Sequence, residues 1–88
     1  MDIDSERHPP RIKIVYCASC GYEPQTLELV SALMYAFHYD IASIEIIPWQ
    51  DGAFDVAVDD ELIHSMYRDG GFPAPDTIIE AIRERLVR

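Results

Sequence analysis

The sequence has 88 residues, which is enough for one domain. A domain of about this size buries only about 60% of the surface of its unfolded chain, so its core is small. Seven basic residues against 16 acidic ones give a formal net charge of -9. Because such a surface repels phosphate groups, we expect no binding to nucleic acid or to anionic lipid. A hydrophobic content of 49% excludes an intrinsically disordered chain.

The first ten residues are polar and contain His8-Pro9-Pro10, which disfavours a helix. We predict a flexible tail over residues 1–10 and one domain over residues 11–88. Because there is neither an apolar signal-peptide segment nor a run of about 18 apolar residues, we expect a cytoplasmic protein with no membrane partner. In a reducing compartment, a single C-x-x-C motif indicates exchange chemistry or metal binding rather than a structural disulfide.

The first half of the chain predicts a strand, a helix and a second strand. Residues 11–17 alternate and are rich in β-branched side chains, as are residues 43–47. Between them, residues 23–38 follow a helical period, and Pro24 suits a first turn. The helix is therefore expected to begin within residues 21–23, and the two strands to be parallel. The predicted buried stripe of this helix is Leu27, Val30, Leu33 or Met34, and Phe37.

The second half predicts an antiparallel hairpin followed by a loop. Residues 54–58 and 62–66 alternate and are joined by Asp59-Asp60. In the first of these strands, Phe54, Val56 and Val58 share one face. Residues 70–73, Gly-Gly-Phe-Pro, form a loop rich in structure breakers. Whether this loop lies beside the cysteines is left open by the sequence.

A last helix is predicted over residues 75–87. Thr77 and Glu80 have the spacing of a capping box, and Arg83, Arg85 and Arg88 suit the negative end of a helix. Its predicted buried stripe is Ile78, Ile79, Ile82 and Leu86. The whole pattern predicts an α/β fold of order β-α-β-β-β-α, with two helices packed on a four-stranded mixed sheet.

Cys17 and Cys20 are the candidate catalytic residues. They lie between a predicted strand and a predicted helix, where cysteines three residues apart can form a disulfide. The positive end of the helix favours a thiolate over a thiol. Neither neighbour in the motif, Ala18 or Ser19, titrates, and Glu23 adds a negative charge. We therefore predict a modest lowering of the cysteine pKa and thiol–disulfide exchange as the reaction.

Two other interpretations of the cysteines stay open. Structural zinc usually takes four ligands, but there is no second C-x-x-C, and His8, His38 and His64 are scattered. The pair could also be inert buried cysteines. We interpret His64 as a hydrogen-bonded or solvent-facing side chain, and we predict no metal or cofactor site.

Three aromatic residues near the motif have structural interpretations. Trp49 follows the second predicted strand and is expected to cover the core. Tyr16 and Tyr22 flank the cysteines. They either line a shallow docking surface or pack in the core.

The chain resembles the selenoprotein W family over roughly residues 12–87. Residues 15–22, Val-Tyr-Cys-Ala-Ser-Cys-Gly-Tyr, resemble the family signature V-Y-C-x-x-(U or C)-G-Y, with Cys20 at the selenocysteine position. Residues 52–56 resemble the family's G-x-F-[DE]-V, and residues 62–65 its L-I-x-S strand. Residues 70–73 are similar to a loop of bacterial members.

The resemblance implies a thioredoxin-like fold and redox activity linked to glutathione or to protein thiols. The selenium position of relatives implies that Cys20 attacks and Cys17 resolves, whereas the order in thioredoxins would assign the attack to the first cysteine. The leading hypothesis is a thiol–disulfide oxidoreductase, or a thiol-dependent peroxide-handling protein, that acts on glutathione as a co-substrate or on protein partners. The alternative is a redox-sensitive interaction module without turnover, in which Tyr16, Tyr22, Phe72 and the cysteine loop form the binding face.

Overall fold

A computed structural model describes residues 9–86 of the chain. Its elements, in chain order, are β1 (Arg11–Cys17), α1 (Glu23–Phe37), β2 (Ser43–Trp49), β3 (Phe54–Val58), β4 (Glu61–Ser65), α2 (Met66–Asp69) and α3 (Pro75–Leu86). The predicted order of strands and long helices is confirmed. The expected count of two helices is wrong, because a short helix, α2, follows β4. Most of the predicted tail, residues 1–8, lies outside the described residues, as do Val87 and Arg88 at the end of the predicted last helix.

The four strands form one mixed sheet in the order β2-β1-β3-β4. β1 is parallel to β2 and antiparallel to β3, and β3 and β4 form the predicted antiparallel hairpin. The alternation predicted for β3 is confirmed, because its three apolar side chains are all buried. The backbone of Pro10, just before β1, accepts a hydrogen bond from the N–H of Ala42. Because β1 is parallel to β2 and antiparallel to β3, the end of β1 lies between the end of β2 and the start of β3.

The core lies between one face of the sheet and the helices α1 and α3. Its members are Ile12, Ile14, Leu29, Leu33, Phe37, Phe54, Val56, Val58, Ile78 and Ile82. In α3, the buried residues Ile78 and Ile82 were predicted, but Leu86 is exposed.

The buried face of α1 differs from the predicted stripe. Leu29 is 2% exposed and lies in the core, whereas Leu27 is 62% exposed. Thr26 is buried as well, and its hydroxyl donates to the carbonyl of Tyr22. Leu33 and Phe37 were predicted correctly, while Met34 is exposed. The error arises because α1 carries apolar side chains on its outer face as well, so its period alone does not fix which face is buried.

The predicted capping box of the last helix is also wrong. Because α3 begins at Pro75, Thr77 lies inside its first turn, and the Thr77 N–H donates to the Ala74 carbonyl. At the other end, Arg85 donates to the carbonyl of Ala81. This contact fits the expected role of basic side chains at the negative end of a helix.

Helix α2 is short and is stabilised by side chains at both of its ends. The hydroxyl of its N-cap, Ser65, accepts from the N–H of Arg68. The Asp69 carboxylate accepts from the Arg68 guanidinium at 2.9 Å and from the Ser65 N–H at 3.0 Å. These hydrogen bonds lower the pKa of Asp69 to about 2, with the Arg68 bond as the larger cause.

Replacing Leu29 by Ala is expected to destabilise the fold far more than the same change at Leu27. Removal of a buried leucine side chain costs about 2–5 kcal/mol, whereas an exposed position costs below about 1 kcal/mol. Urea unfolding of the two variants measures the difference. A larger loss for Leu27→Ala would contradict the orientation of α1 described above.

The carboxylate of Asp69 is expected to make stability depend on pH in the acid range. Since its folded pKa, about 2, lies below the ordinary value of about 3.9, its stabilising effect is present above about pH 4 and is lost as the pH falls toward about 2. The difference in unfolding free energy between wild type and Asp69→Asn should therefore shrink over this range. Denaturant titrations from about pH 5 down to about pH 2 test this, and a difference that stays constant would contradict it.

Candidate redox site

Strand β1 places Cys17 at its last residue, beside the end of β2. Ile12 and Ile14 of β1 pack in the core, and Cys17 at the strand end is 0% exposed. In the parallel pair, Cys17 is the register partner of Trp49. The next residue, Ala18, donates its N–H to the Trp49 carbonyl at 2.9 Å. The first cysteine is therefore fixed by the sheet.

A tight turn then brings the second cysteine back onto the first. The Gly21 N–H donates to the Ala18 carbonyl at 3.1 Å, and the Tyr22 N–H donates to the Cys17 carbonyl at 3.3 Å. Gly21 has a φ of 77°, a conformation that side chains with a Cβ rarely adopt. The Cα atoms of Cys17 and Cys20 are 5.3 Å apart, and the two sulfurs form a disulfide. The proximity expected from the C-x-x-C spacing is thus realised.

The two sulfurs have different surroundings. Cys17 is fully buried, whereas Cys20 is exposed to solvent. The Ser19 hydroxyl lies 3.4 Å from the sulfur of Cys17. Because a disulfide sulfur has no proton, the hydroxyl is the donor in this contact. An incoming reagent therefore meets Cys20 first, while Cys17 has a hydrogen-bond donor beside it.

Helix α1 begins at Glu23, three residues after Cys20. This start lies within the predicted range, and Pro24 lies in the first turn as expected. The carbonyl of Tyr22 accepts both the N–H and the hydroxyl of Thr26, at 3.1 Å and 2.9 Å. The turn and the helix are therefore joined directly, and the positive end of the helix dipole faces the motif.

The loop over residues 70–73 packs against the residue that ends the cysteine turn. The ring of Phe72 meets the ring of Tyr22 edge to face, with 4.8 Å between centroids, and the ring of Phe54 at 5.1 Å. Such pairs contribute about 0.5–1.5 kcal/mol beyond burial. The loop therefore lies next to the cysteine motif. The sequence alone had left its position relative to the cysteines open. Tyr22, for which docking and core packing were both open, is half-buried against the core, as is Tyr16.

The side chain of His64 contacts the backbone of the same loop. Its Nε2 lies 2.9 Å from the carbonyl oxygen of Gly71, and its Nδ1 lies 3.6 Å from the Asp69 carboxylate. Since a carbonyl only accepts, Nε2 carries the proton. The interpretation of His64 as a hydrogen-bonded side chain is confirmed.

Two aromatic residues near the motif differ from expectation. Trp49 does not cover the core, because its side chain is 58% exposed. Tyr67 of α2, which the sequence did not single out, donates its hydroxyl to the carbonyl of Asp51. The signal that could have found Tyr67 is weak, since it depends on a helix of only four residues.

Neither a metal-binding cluster nor a membrane-spanning helix occurs among the described residues 9–86. No three His, Cys, Asp or Glu side chains in this range are grouped so that they could hold a metal ion. Within the same range, no helix combines the length and the apolar character needed to cross a membrane.

Solved structures of two bacterial proteins are similar to this one. A protein from Bordetella parapertussis superposes with a TM-score of 0.85 at 28% identity, covering 90% of this chain and 100% of that one. A selenoprotein W-related protein from Vibrio cholerae has a TM-score of 0.85 at 23% identity, covering 90% of this chain and 99% of that one. The predicted thioredoxin-like fold is confirmed.

Curated relatives and a family model match most of the chain. Migration and invasion enhancer 1 of Bos taurus is 40% identical over 76 residues, covering 86% of this chain and 64% of that protein. The chain thus spans a little under two thirds of that relative's length. Selenoprotein W of Mus musculus is 36% identical over 63 residues, covering 69% of this chain and 70% of that protein. The Rdx family model matches residues 11–84. The chain therefore belongs to the Rdx family of selenoprotein W-related proteins.

Proposed function

We propose that the protein is a thiol–disulfide oxidoreductase that cycles Cys17 and Cys20 between the dithiol and the disulfide. The observation that carries this proposal is the bonded pair itself, with residue Cys20 exposed and residue Cys17 buried. Reactive cysteines are accessible to solvent, whereas structural ones are sealed, and the N-terminus of α1 follows Cys20 by three residues. The partners in this proposal are glutathione or protein thiols. The compartment is the cytoplasm, whose reducing conditions return the disulfide to the dithiol after each cycle.

The difference in exposure between the two cysteines supports an assignment of roles. In the reduced protein, the Cys20 thiolate attacks a partner disulfide, forms a mixed disulfide and releases one partner thiolate, which takes up a proton. Cys17 then loses its proton and attacks the Cys20 sulfur, so that the second partner thiolate leaves. Two electrons pass from the protein to the partner, and the Cys17–Cys20 disulfide forms.

The reverse direction uses the same geometry. An incoming thiolate attacks the exposed sulfur of Cys20 and expels the thiolate of Cys17. The Ser19 hydroxyl, 3.4 Å from that sulfur, is placed to donate to the leaving thiolate. A better-stabilised thiolate leaves faster.

A specific contact also supports the alternative of a redox-sensitive interaction module. Tyr22, which ends the cysteine turn, packs on Phe72 at 4.8 Å. Opening the disulfide would release the turn to which Tyr22 belongs and thereby change the surface around Phe72. This function requires binding that depends on oxidation state, with no catalytic turnover.

Trapping of mixed disulfides in single-cysteine variants tests the oxidoreductase proposal. Cys17→Ser leaves the exposed Cys20 without its resolving partner, so it is expected to accumulate adducts with glutathione or protein thiols. Cys20→Ser retains only the buried sulfur and should form at least about 10-fold less adduct. Mass spectrometry of protein purified under acid quench measures both.

Two controls separate the outcomes. Cys17→Ala repeats the experiment without burying a hydroxyl, and circular dichroism confirms that each variant is folded. Adduct formation mainly on Cys20→Ser would overturn the assignment of roles. If no variant forms an adduct and the wild type reduces no disulfide, the oxidoreductase proposal is wrong, and binding that differs between oxidised and reduced protein would favour the interaction module.

A further inference from the structure

Three exposed aromatic side chains lie at the end of the sheet that carries the cysteines. They come from the end of β2, from α2 and from the loop before α3, and we call them the aromatic rim: Trp49, Tyr67 and Phe72. Their exposed fractions are 58%, 67% and 39%. Large aromatic side chains at the surface of a small protein are typical of contact sites for other proteins.

Two members of the rim contact the cysteine turn, and the third contacts the loop that follows β2. The backbone of Trp49 accepts from Ala18, inside the C-x-x-C motif. The hydroxyl of Tyr67 donates to the carbonyl of Asp51, in the loop that follows β2. The ring of Phe72 packs on Tyr22, which ends the turn. These contacts fix the three residues at the end of the sheet that carries the redox pair.

The charges at this end of the sheet are mostly negative. The loops and helix starts that surround the pair, residues 18–23, 50–53 and 66–76, contribute the carboxylates of Glu23, Asp51, Asp69 and Asp76. Arg68 is the single Lys or Arg in these described segments, and it is paired with Asp69 at 2.9 Å. The net charge of the whole chain, -9, has the same sign. The potential around Cys20 therefore attracts cations and repels anions.

We propose that the redox site docks a cationic polypeptide segment, one in which lysine or arginine and an apolar residue flank the reacting cysteine, and that it discriminates against the glutathione disulfide. This inference rests on the proposed function and chooses between its two partner classes. Oxidised glutathione is a net anion at neutral pH and offers no large apolar group to the rim. A basic segment with an apolar side chain matches both the charge and the rim.

The reaction is the exchange described above, with the partner specified. The Cys20 thiolate attacks one sulfur of a disulfide between two basic segments, and the first segment leaves as a thiol after taking up a proton. Cys17 then displaces the second segment, which also leaves as a thiol. The protein becomes oxidised by two electrons and the partner disulfide is reduced. A small dithiol such as dithiothreitol restores the reduced protein.

The test measures single-turnover oxidation of pre-reduced protein by a series of peptide disulfides. The probes are symmetric disulfides of capped peptides in which a leucine-cysteine core is flanked by lysines, by glutamines or by glutamates, together with oxidised glutathione. Each rate is divided by the rate of the same probe with dithiothreitol, which removes differences in intrinsic reactivity. Acid quench, alkylation and mass spectrometry count the protein thiols that remain.

The lysine probe is expected to react at least about 10-fold faster than the glutamate probe at low salt. Raising the ionic strength to about 1 M should slow the lysine probe, speed the glutamate probe and leave the glutamine probe nearly unchanged, because the Debye length falls to about 3 Å. Equal normalised rates without a salt dependence, or a preference for oxidised glutathione, would overturn the proposal. If the protein reduces none of the probes, including the neutral one, the proposed function itself fails.

Matched variants locate the effect at the redox end of the sheet. Glu23→Gln combined with Asp51→Asn should reduce the ratio of lysine to glutamate rates by about 3-fold or more. A change in the reactivity of Cys20 itself affects all probes equally and cancels in this ratio. The control removes the same number of charges at the opposite end of the sheet: Asp40→Asn, just after α1, is combined with Asp60→Asn, in the turn between β3 and β4, and should leave the ratio unchanged. An equal effect of the control would show that only the total charge matters and would overturn the local assignment.

The contribution of the rim is tested by Tyr67→Ala. Its control is Tyr39→Ala, which removes an exposed tyrosine just after α1, far from the redox pair. Tyr67→Ala should slow the lysine probe more than cystamine, a cationic disulfide without an apolar side chain, whereas Tyr39→Ala should affect neither. Equal slowing of both probes by Tyr67→Ala would contradict docking on the rim.

Discussion

The site depends on one constraint, which is that a single turn keeps Cys17 inside the fold and Cys20 at its surface. Strand β1 ends at Cys17, which pairs with β2, and β3 pairs with the preceding residue, Tyr16. The turn reverses the chain within four residues, and α1 begins directly after it. Within the turn, Gly21 has a positive φ, which favours glycine. If the two cysteines were equally exposed, the geometry would not distinguish an attacking from a resolving sulfur.

The small size of the domain explains why the site lies at the edge of the fold. The core occupies the space between one sheet face and two helices, so a domain of this size has little room for a deep pocket among the described residues around the cysteines. Recognition then has to use the loops at the strand ends and the side chains that these loops expose. Surface charge and exposed aromatic groups are the two properties that such a shallow site offers to a partner.

Most of the fold could be predicted from the sequence, because strand alternation, Pro24 and the breakers of residues 70–73 are local signals. The face of α1 could not, since apolar residues such as Leu27 and Met34 remain exposed while Leu29 and Leu33 are buried. Only the packing of the helix on the sheet decides between such faces. Helix α2 was missed because four residues are too few to show a period.

The cysteine pair could be predicted from its spacing and from its place between strand and helix. The contrast between buried Cys17 and exposed Cys20 could not, because exposure at a strand end depends on what the neighbouring strands and loops cover. Tertiary contacts also decide that Trp49 is exposed and that the loop containing Phe72 lies beside Tyr22.

The most direct measurement of which cysteine reacts first is alkylation of the reduced protein with substoichiometric iodoacetamide, followed by peptide mapping. Cys20 should be modified at least about 10-fold faster than Cys17, whereas equal or faster modification of Cys17 would contradict the assignment of Cys20 as the reactive sulfur.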